Sequence, residues 1–530
     1  MTTRRQFLRD GSLAVAGLGT LRLPRWLDRV VLADPDPVRA LALRAIDAAR
    51  SAGATYADAR LTRTLTETYA NARAGGEMET LGVSVRALVN GYWGFAASSY
   101  WDADDVVRLA REAVSQAMAY ALGPPRAVDW HPVPAVTGSW ATPVRYDPFT
   151  IPIEEKIEFA AAWLALAGQI DRHARISSDM SFIREESAVA TTDGTYVTQT
   201  RYTTGGKFEL DLEGPDGAIG TAVATGLSRA GAGWELFLDA KLPDQVPTML
   251  ASARDGLMSR PSKAGDIGRY TVVFDAATMA ILLASTLGAA SQADRVLGFE
   301  ANAGGVSYLG SDPLVALGTT VASPLVTITA DRTLARGLAT AKWDGEGTPT
   351  APFPLVSQGV LVDFQTTREQ AAWLAPWYEK HGQPVRSRGC ADAESALYTT
   401  MQHMPNLVLA PGRERASFDD LVAGTTRGIA IIGGTPNINI DCGQGIIAGR
   451  RRCREIVNGK LGADLTGLTP VFSSADLWKH VSAVGGDASA QTFPVGARKG
   501  EPSQQMEFSV RAVPATVTNI ACIDSGSGAR

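Results

Sequence analysis

Residues 279–302 read MAILLASTLGAASQADRVLGFEAN. The first half is apolar on every side and carries no group that titrates, which suits a helix buried all round. The second half is polar, with Asp294, Arg295, Glu300 and Asn302 crowded about Gly298. Upstream, RYTVVFD (269–275) reads as a strand and Asp275 can cap the helix. Downstream come short strands with Gly punctuation, among them PLVTITAD (324–331), PFPLVSQGVLVDFQT (352–366), TRGIAIIGGTPNINIDCGQGIIAG (426–449) and EFSVRAVPATVTNIACID (507–524). Gln358-Gly359 and Asn458-Gly459 read as hairpin turns. This part of the chain is therefore expected to be strand-rich, barrel-like or sandwich-like, around one buried helix.

Working towards the N-terminus, RPSKAGDIG (260–268) is polar and turn-rich, and it marks the expected boundary between an N-terminal α/β domain (36–262) and a C-terminal domain (263–525). The first domain opens on a punctuated helix: Asp36 as cap, Pro37 at its first position, a stripe of Val38, Leu41, Ala45 and Ala49, and Gly53 as the stop. Strands follow at 56–72 and 81–99 with an Asn90-Gly91 turn, then helices at 104–122 and 153–170 around a Pro-rich surface connection. Further strands run from 176 to 236, and a helix lies near 242–258. The fold class is α+β in two domains.

The chain has 530 residues, a formal net charge of -5, 45% apolar and 20% charged residues. That is too long for one growing core and too acidic for a protein built to neutralise nucleic-acid phosphates. The basic run GRRRCRE (449–455) is short and reads as a solvated turn or strand edge. TRRQFL (3–8), the apolar GSLAVAGLGTL and then VLAD, ending in a small-residue cleavage site after Ala33, form the order of a Tat export signal over 1–33. The mature protein is expected outside the cytoplasmic membrane, periplasmic or extracellular, with no membrane span. Four cysteines include Cys442 and Cys453, close enough in sequence to bridge in an oxidising compartment, though spacing does not show that they do.

Familiar catalytic signatures are missing: no H-E-x-x-H, no G-x-S-x-G and no G-x-x-x-x-G-K. The five histidines are scattered, and no Cys stands in a C-x-x-C pair. Several blocks nevertheless occur together: AGATYADARL and NGYWGFAASS near the N-terminus, then DRVLGFEANAGGVSYLG (294–310), WDGEGTPTAPFPLVSQGVLVDF (343–364), MQHMPNLVLAPG (401–412), TRGIAIIGG (426–434) and KGEPSQ (499–504). In these blocks and their order the chain resembles the TldD/PmbA family, also called modulators of DNA gyrase, over about 38–522.

The resemblance implies a two-domain peptidase fold in which TldD-like members carry H-E-x-x-x-H on the helix before the DR.LG.EAN block, completed by a Cys before a GKGQPGQ-like segment. These hold a metal, zinc by expectation, with the glutamate as base towards the bound water. PmbA-like (TldE) partners lack that set and pair with a TldD-like subunit. Here the equivalent positions are Ala284, Ser285, Ala289 and Ala497, so no metal ligand and no cofactor is expected from this chain. Either a different set has moved in, with Asp294 and Glu300 as paired carboxylates or Ser285 as a nucleophile with a remote base, or the polar residues simply hold the turn while Ile281, Leu282, Leu283 and Leu287 pack as core. Cys522 lies too late in the chain to replace the thiolate.

The expected role is a non-catalytic or peptide-holding subunit, homodimeric or paired with a catalytic TldD-like subunit, that receives an extended peptide along a sheet edge. Gly433 and Gly434 suit a close backbone approach or a bulge, and His403 stands where TldD-like relatives have Arg. The alternatives are an active hydrolase with substituted residues and an exported peptide- or ligand-binding protein.

Overall fold

The computed structural model describes residues 36–121, 128, 130–258, 262–439, 443–448 and 452–524. The export signal expected over 1–33 and Cys442, the proposed partner of Cys453, lie outside these residues. None of the described helices is long and apolar enough to cross a membrane.

The N-terminal half is one mixed sheet. Its strands are β1 (Tyr56–Ala70), β2 (Arg73–Val89), β3 (Tyr92–Ser98), β4 (Thr137–Ala141), β5 (Ala174–Thr191), β6 (Tyr196–Glu213) and β7 (Ile219–Val223). The order is β3-β2-β1-β5-β6-β4, with β7 also on β6, and only the β4–β6 pairing is parallel. The Pro-rich connection thus contains a strand, because β6 offers it an open edge. Asn90 and Gly91 both take left-handed φ, 51° and 80°, the twist a two-residue hairpin needs between β2 and β3.

Period-two alternation then gives the sheet two unlike faces. Ala57, Ala59 and Leu61 of β1 pack on α1 (Pro37–Ser51) and α2 (Ala103–Tyr120). Phe182 and Phe208 pack on α3 (Ile153–Ile170) and α4 (Leu242–Leu257). Asp36 starts α1 by accepting from the N–H groups of Val38 and Arg39, each at 3.1 Å. The intervening residues Asp58, Arg60 and Thr62 are buried on the opposite face, against the C-terminal half.

The C-terminal half contributes β8 (Ser262–Ala264), β9 (Gly268–Phe274), β10 (Ile328–Ala330), β11 (Phe353–Ser357), β12 (Val360–Leu361), β13 (Ala391–Asp392) and β14 (Met401–Gln402). It continues with β15 (Leu407–Leu409), β16 (Arg427–Ile432), β17 (Thr435–Asn439), β18 (Gln444–Ala448), β19 (Arg452–Val457) and β20 (Lys460–Thr466). The last are β21 (Leu468–Ser473), β22 (Val481–Val484), β23 (Gln491–Lys499), β24 (Gln504–Ala512) and β25 (Ala515–Asp524). Two large open sheets result, β12-β11-β10-β15-β24-β23 and β17-β18-β21-β25-β9-β16-β19-β20-β8 with β22 on β25, beside a two-stranded β13-β14 ribbon.

The C-terminal half is strand-rich around one buried helix, as expected, and no closed barrel forms among the described residues. Helix α5 (Ala276–Leu283) lies between the two sheets, touching β15, β23 and β24 on one side and β16 and β17 on the other. One apolar cluster, from Phe274 and Leu283 to Phe508 and Ile431, fills the space around it.

The two halves meet across buried charges. Asp392 accepts from Arg60, from Arg201 at 3.0 Å and from Arg332 at 2.9 Å. Arg86 pairs with Asp58 at 2.7 Å and with Glu346 at 3.1 Å, and its guanidinium lies 4.4 Å over the Trp93 ring. The Gln199 side chain bonds the backbone of Lys342 and Trp343 at 2.9–3.1 Å, which seats the WDGEGTP segment on the sheet.

Candidate functional site

Helix α5 starts where Asp275 accepts the Thr278 N–H at 2.9 Å with one carboxylate oxygen and the Gly433 N–H at 3.0 Å with the other. Gly434 N–H donates to Thr278 Oγ1 at 2.9 Å, and a Cβ on Gly434 would stand 2.6 Å from Ile447 Cγ2. The two glycines let the β16–β17 turn close over the helix start.

The helix then changes pitch. Residues Ala284–Gly288 form a π-turn, and the N–H of Ala289 reaches the carbonyl of Ala284. Two features loosen the ladder: Ser285 Oγ donates to Ile281 O at 2.7 Å, and Thr286 donates to Leu282 O, bonds of a kind that bend helices. Trp478 Nε1 locks the turn by donating to Thr286 Oγ1 at 2.8 Å.

This pitch matters for positions five apart. In an α-helix of 3.6 residues per turn they point about 140° away from one another. An i→i+5 turn brings them back towards one side, and π-turns of this kind recur at functional sites. The bonded ends here are the two positions, 284 and 289, that the H-E-x-x-x-H resemblance assigns to the imidazoles.

The side chains at these positions are of another kind. Ala284 and Ala289 are buried in the apolar cluster, and Ala497, opposite Met506 on β23, packs against the same cluster. Three methyl groups and a hydroxyl committed to a backbone carbonyl do not fit a divalent cation. Among the described residues no group of three or more His, Cys, Asp or Glu is arranged to hold a metal ion.

The polar half of the opening stretch folds back onto the β23–β24 hairpin. Asp294 is ion-paired to Lys499, whose side chain is wholly buried, and Glu300 accepts the Gly500 N–H at 3.0 Å. Arg295 donates to Gln292 Oε1 at 2.8 Å and to the carbonyls of Gly304 and Gly305. Burial pushes the Lys499 ammonium down from its ordinary range, while Asp294 works to hold it up. Asp294 Oδ1, Gln292 Nε2 and Gln402 Nε2 are buried without a partner in this cluster.

His403 lies beside it, buried, with its backbone N–H donating to Cys390 O at 2.7 Å and its ring Nε2 unpartnered. Burial pushes its imidazole down to about 3 against the pull of Asp392, so the ring is neutral at ordinary pH. The structure thus groups the motif helix, Asp294, Glu300 and Ala497 in one place, with Gly433 and Gly434 at the far end of the helix. Lys499 was missed by sequence reasoning although it stands two residues from Ala497. Gln292, Gln402 and Trp478 carried no signal.

A family model described as the PmbA/TldA metallopeptidase C-terminal domain matches residues 267–511, and its companion for domain 1 matches residues 74–117. The chain belongs to the TldD/PmbA family. The metalloprotease TldD homolog of Haemophilus influenzae is 23% identical over 350 residues, 63% of this chain and 67% of that protein. The TldD homolog of Buchnera aphidicola from Acyrthosiphon pisum is 25% identical over 270 residues, 48% of this chain. The match spans about half that relative's length, 50%.

Two solved structures share the TldD/PmbA fold. TldE from Thermococcus kodakarensis has a TM-score of 0.65 at 14% identity, covering 92% of this chain and 100% of its own. A protein described as a modulator of DNA gyrase from Bacteroides thetaiotaomicron has a TM-score of 0.65 at 17% identity, covering 92% and 99%.

Proposed function

We propose that this TldD/PmbA-family chain is a subunit of a metallopeptidase system that does not itself hold the metal, and that it serves as the peptide-holding or architectural partner of a ligand-bearing subunit. One observation carries the reading. The i→i+5 turn joins Ala284 and Ala289, the two positions that the family resemblance assigns to imidazoles, while every side chain expected to bind metal there is a methyl or a committed hydroxyl.

The polar residues support the same reading. Asp294 and Glu300 are occupied by Lys499 and Gly500, which favours a holding role over that of paired acid and base. Retention of the DRVLGFEAN block without a metal then has a mechanical reason: it clamps the turn after the helix to the β23–β24 hairpin. A zinc ion, in relatives with the full set, would supply Lewis acidity at this place. In this chain the residues supply only a shaped, packed wall.

The test is metal content and cleavage. The purified chain is expected to hold far less than one zinc per molecule and to show no chelator-sensitive cleavage of an unfolded peptide, whereas co-purification from its host recovers a relative with intact H-E-x-x-x-H. Stoichiometric zinc with chelator-sensitive cleavage by this chain alone overturns the proposal. Export belongs to the same reading: replacing Arg4 and Arg5 by Lys is expected to leave the protein in the cytoplasm, as cell fractionation would read.

A further inference from the structure

A cavity of about 320 Å³ lies between the N-terminal sheet and the C-terminal half, and none of residues 276–289 of the motif helix lines it. Its walls come from β5 and β6, from the segment 337–340 and from β24. On β24, Met506, Phe508 and Val510 point into the apolar cluster around α5, so Gln505 and Glu507, two positions out of phase, line the cavity on the opposite face.

The floor is fixed. Asp392 is held by three arginines, and although burial alone would raise it, they keep its carboxyl well below the usual carboxylate range. Above the floor, hydrogen-bonding capacity is left over in both senses. Glu185 spends one oxygen on Arg201 at 2.5 Å, and Glu507 spends one on Arg229. Arg229 Nε and His403 Nε2 are buried donors or acceptors with no partner, and the His403 residue is only 8% exposed. Ile183, Leu338 and Met404 supply an apolar wall.

A site that offers carboxylate oxygens, unspent N–H groups and an apolar wall in a space of this size matches a small zwitterion. Buried polar groups without partners are costly, and a ligand bearing complementary groups removes that cost. A metal ion is a poor fit, since no three of the described acidic, His or Cys side chains are disposed to hold one. We propose that this cavity binds a free α-amino acid or a close zwitterionic analogue. The ammonium is held at Glu185 and Glu507, the carboxylate at Arg229 and His403, and an apolar side chain lies on Ile183, Leu338 and Met404.

Isothermal titration of the full-length protein tests this with L-methionine, N-acetyl-L-methionine and L-methionine methyl ester. L-Methionine is expected to bind saturably, and loss of either charge to weaken binding roughly tenfold or more, about 1.4 kcal/mol. Arg229→Gln is expected to weaken L-methionine at unchanged melting temperature, since the Arg229–Glu507 pair is about one-third exposed on each side. Thr203→Phe, which fills the cavity from β6, is expected to abolish binding. Absence of saturable binding at millimolar L-methionine, equal binding of the blocked derivatives, or indifference to both substitutions overturns the proposal. None of these results depends on whether the motif helix holds a metal.

Discussion

Lys499 is the residue on which the candidate site turns, because its buried ammonium joins the turn after the motif helix to the β23–β24 hairpin. Lys499→Met leaves Asp294 charged and buried, and the expected loss is about 3–5 kcal/mol in urea denaturation. The double variant Lys499→Met/Asp294→Leu removes both charges and is expected to recover most of that loss. His403 makes a pH-dependent contribution of known sign. Its folded-state value is depressed from 6.5 to about 3, so the unfolded chain binds the extra proton and stability falls as pH drops through that window. His403→Gln is expected to flatten this acid limb in melting curves recorded from pH 6.5 to 3.5, a range set by the shift itself. Asp392, Lys499, Arg332 and Arg60 are the charges that act on the ring. The sequence exposed Asp294 and Glu300 as notable residues, yet their partners were hidden, since Lys499 and Gly500 lie some two hundred positions away and only folding brings them together.

At the scale of elements, the motif helix was legible and its pitch was not. An apolar run capped by Asp275 announces a buried helix, whereas the π-turn arises from Ser285 and Thr286 bonding backward and from Trp478 reaching in across the core. The two-residue turns were legible for a local reason: Asn90-Gly91, Gln358-Gly359 and Asn458-Gly459 all adopt left-handed φ at both positions. The openness of the C-terminal sheets was not legible, because strand signals carry no information on closure. The pitch makes a prediction. Ala284→His, Ser285→Glu, Ala289→His and Ala497→Cys together are expected to give a chain that keeps about one zinc after gel filtration, read by elemental analysis. Overpacking is expected to cost about 1–3 kcal/mol per enlarged side chain in the apo form, and zinc to return part of it.

For the whole molecule, the junction between halves is the part that sequence reading left blank. Hydrophobic pattern placed both cores, but Asp58, Arg60, Arg86 and Asp392 look like surface residues until the two halves meet. Asp392→Asn is expected to destabilise the chain by about 3–5 kcal/mol, because it strips the buried guanidinium groups of Arg60 and Arg332 of their carboxylate and takes one of two from Arg201. Asp344, also buried at the junction, has its carboxyl pushed up from 3.8 to about 7 by burial and by Glu346, against the pull of Arg332. The folded state therefore holds a proton that the unfolded state has lost, and stability declines as pH rises through that interval. Asp344→Asn is expected to remove this slope between pH 4 and 7, an interval bounded by those two values. Its absolute stability is expected to be lower, since an amide nitrogen would face the Ala391 N–H now bonded to Asp344 at 3.2 Å.

The order of strands in the ten-stranded sheet bears on how the chain is made. Strand β9, near residue 270, lies between β16 and β25, so the centre of that sheet waits for residues 515–524 to leave the ribosome. The N-terminal sheet already has its helices on one face and can stand ready as a nascent unit, with a charged rather than greasy surface turned to the side still to come. A stop codon at position 515 would therefore leave the first half intact and unzip the second at its middle, a failure that ribosome-stalled chains of increasing length would reveal as two separate gains in protease resistance.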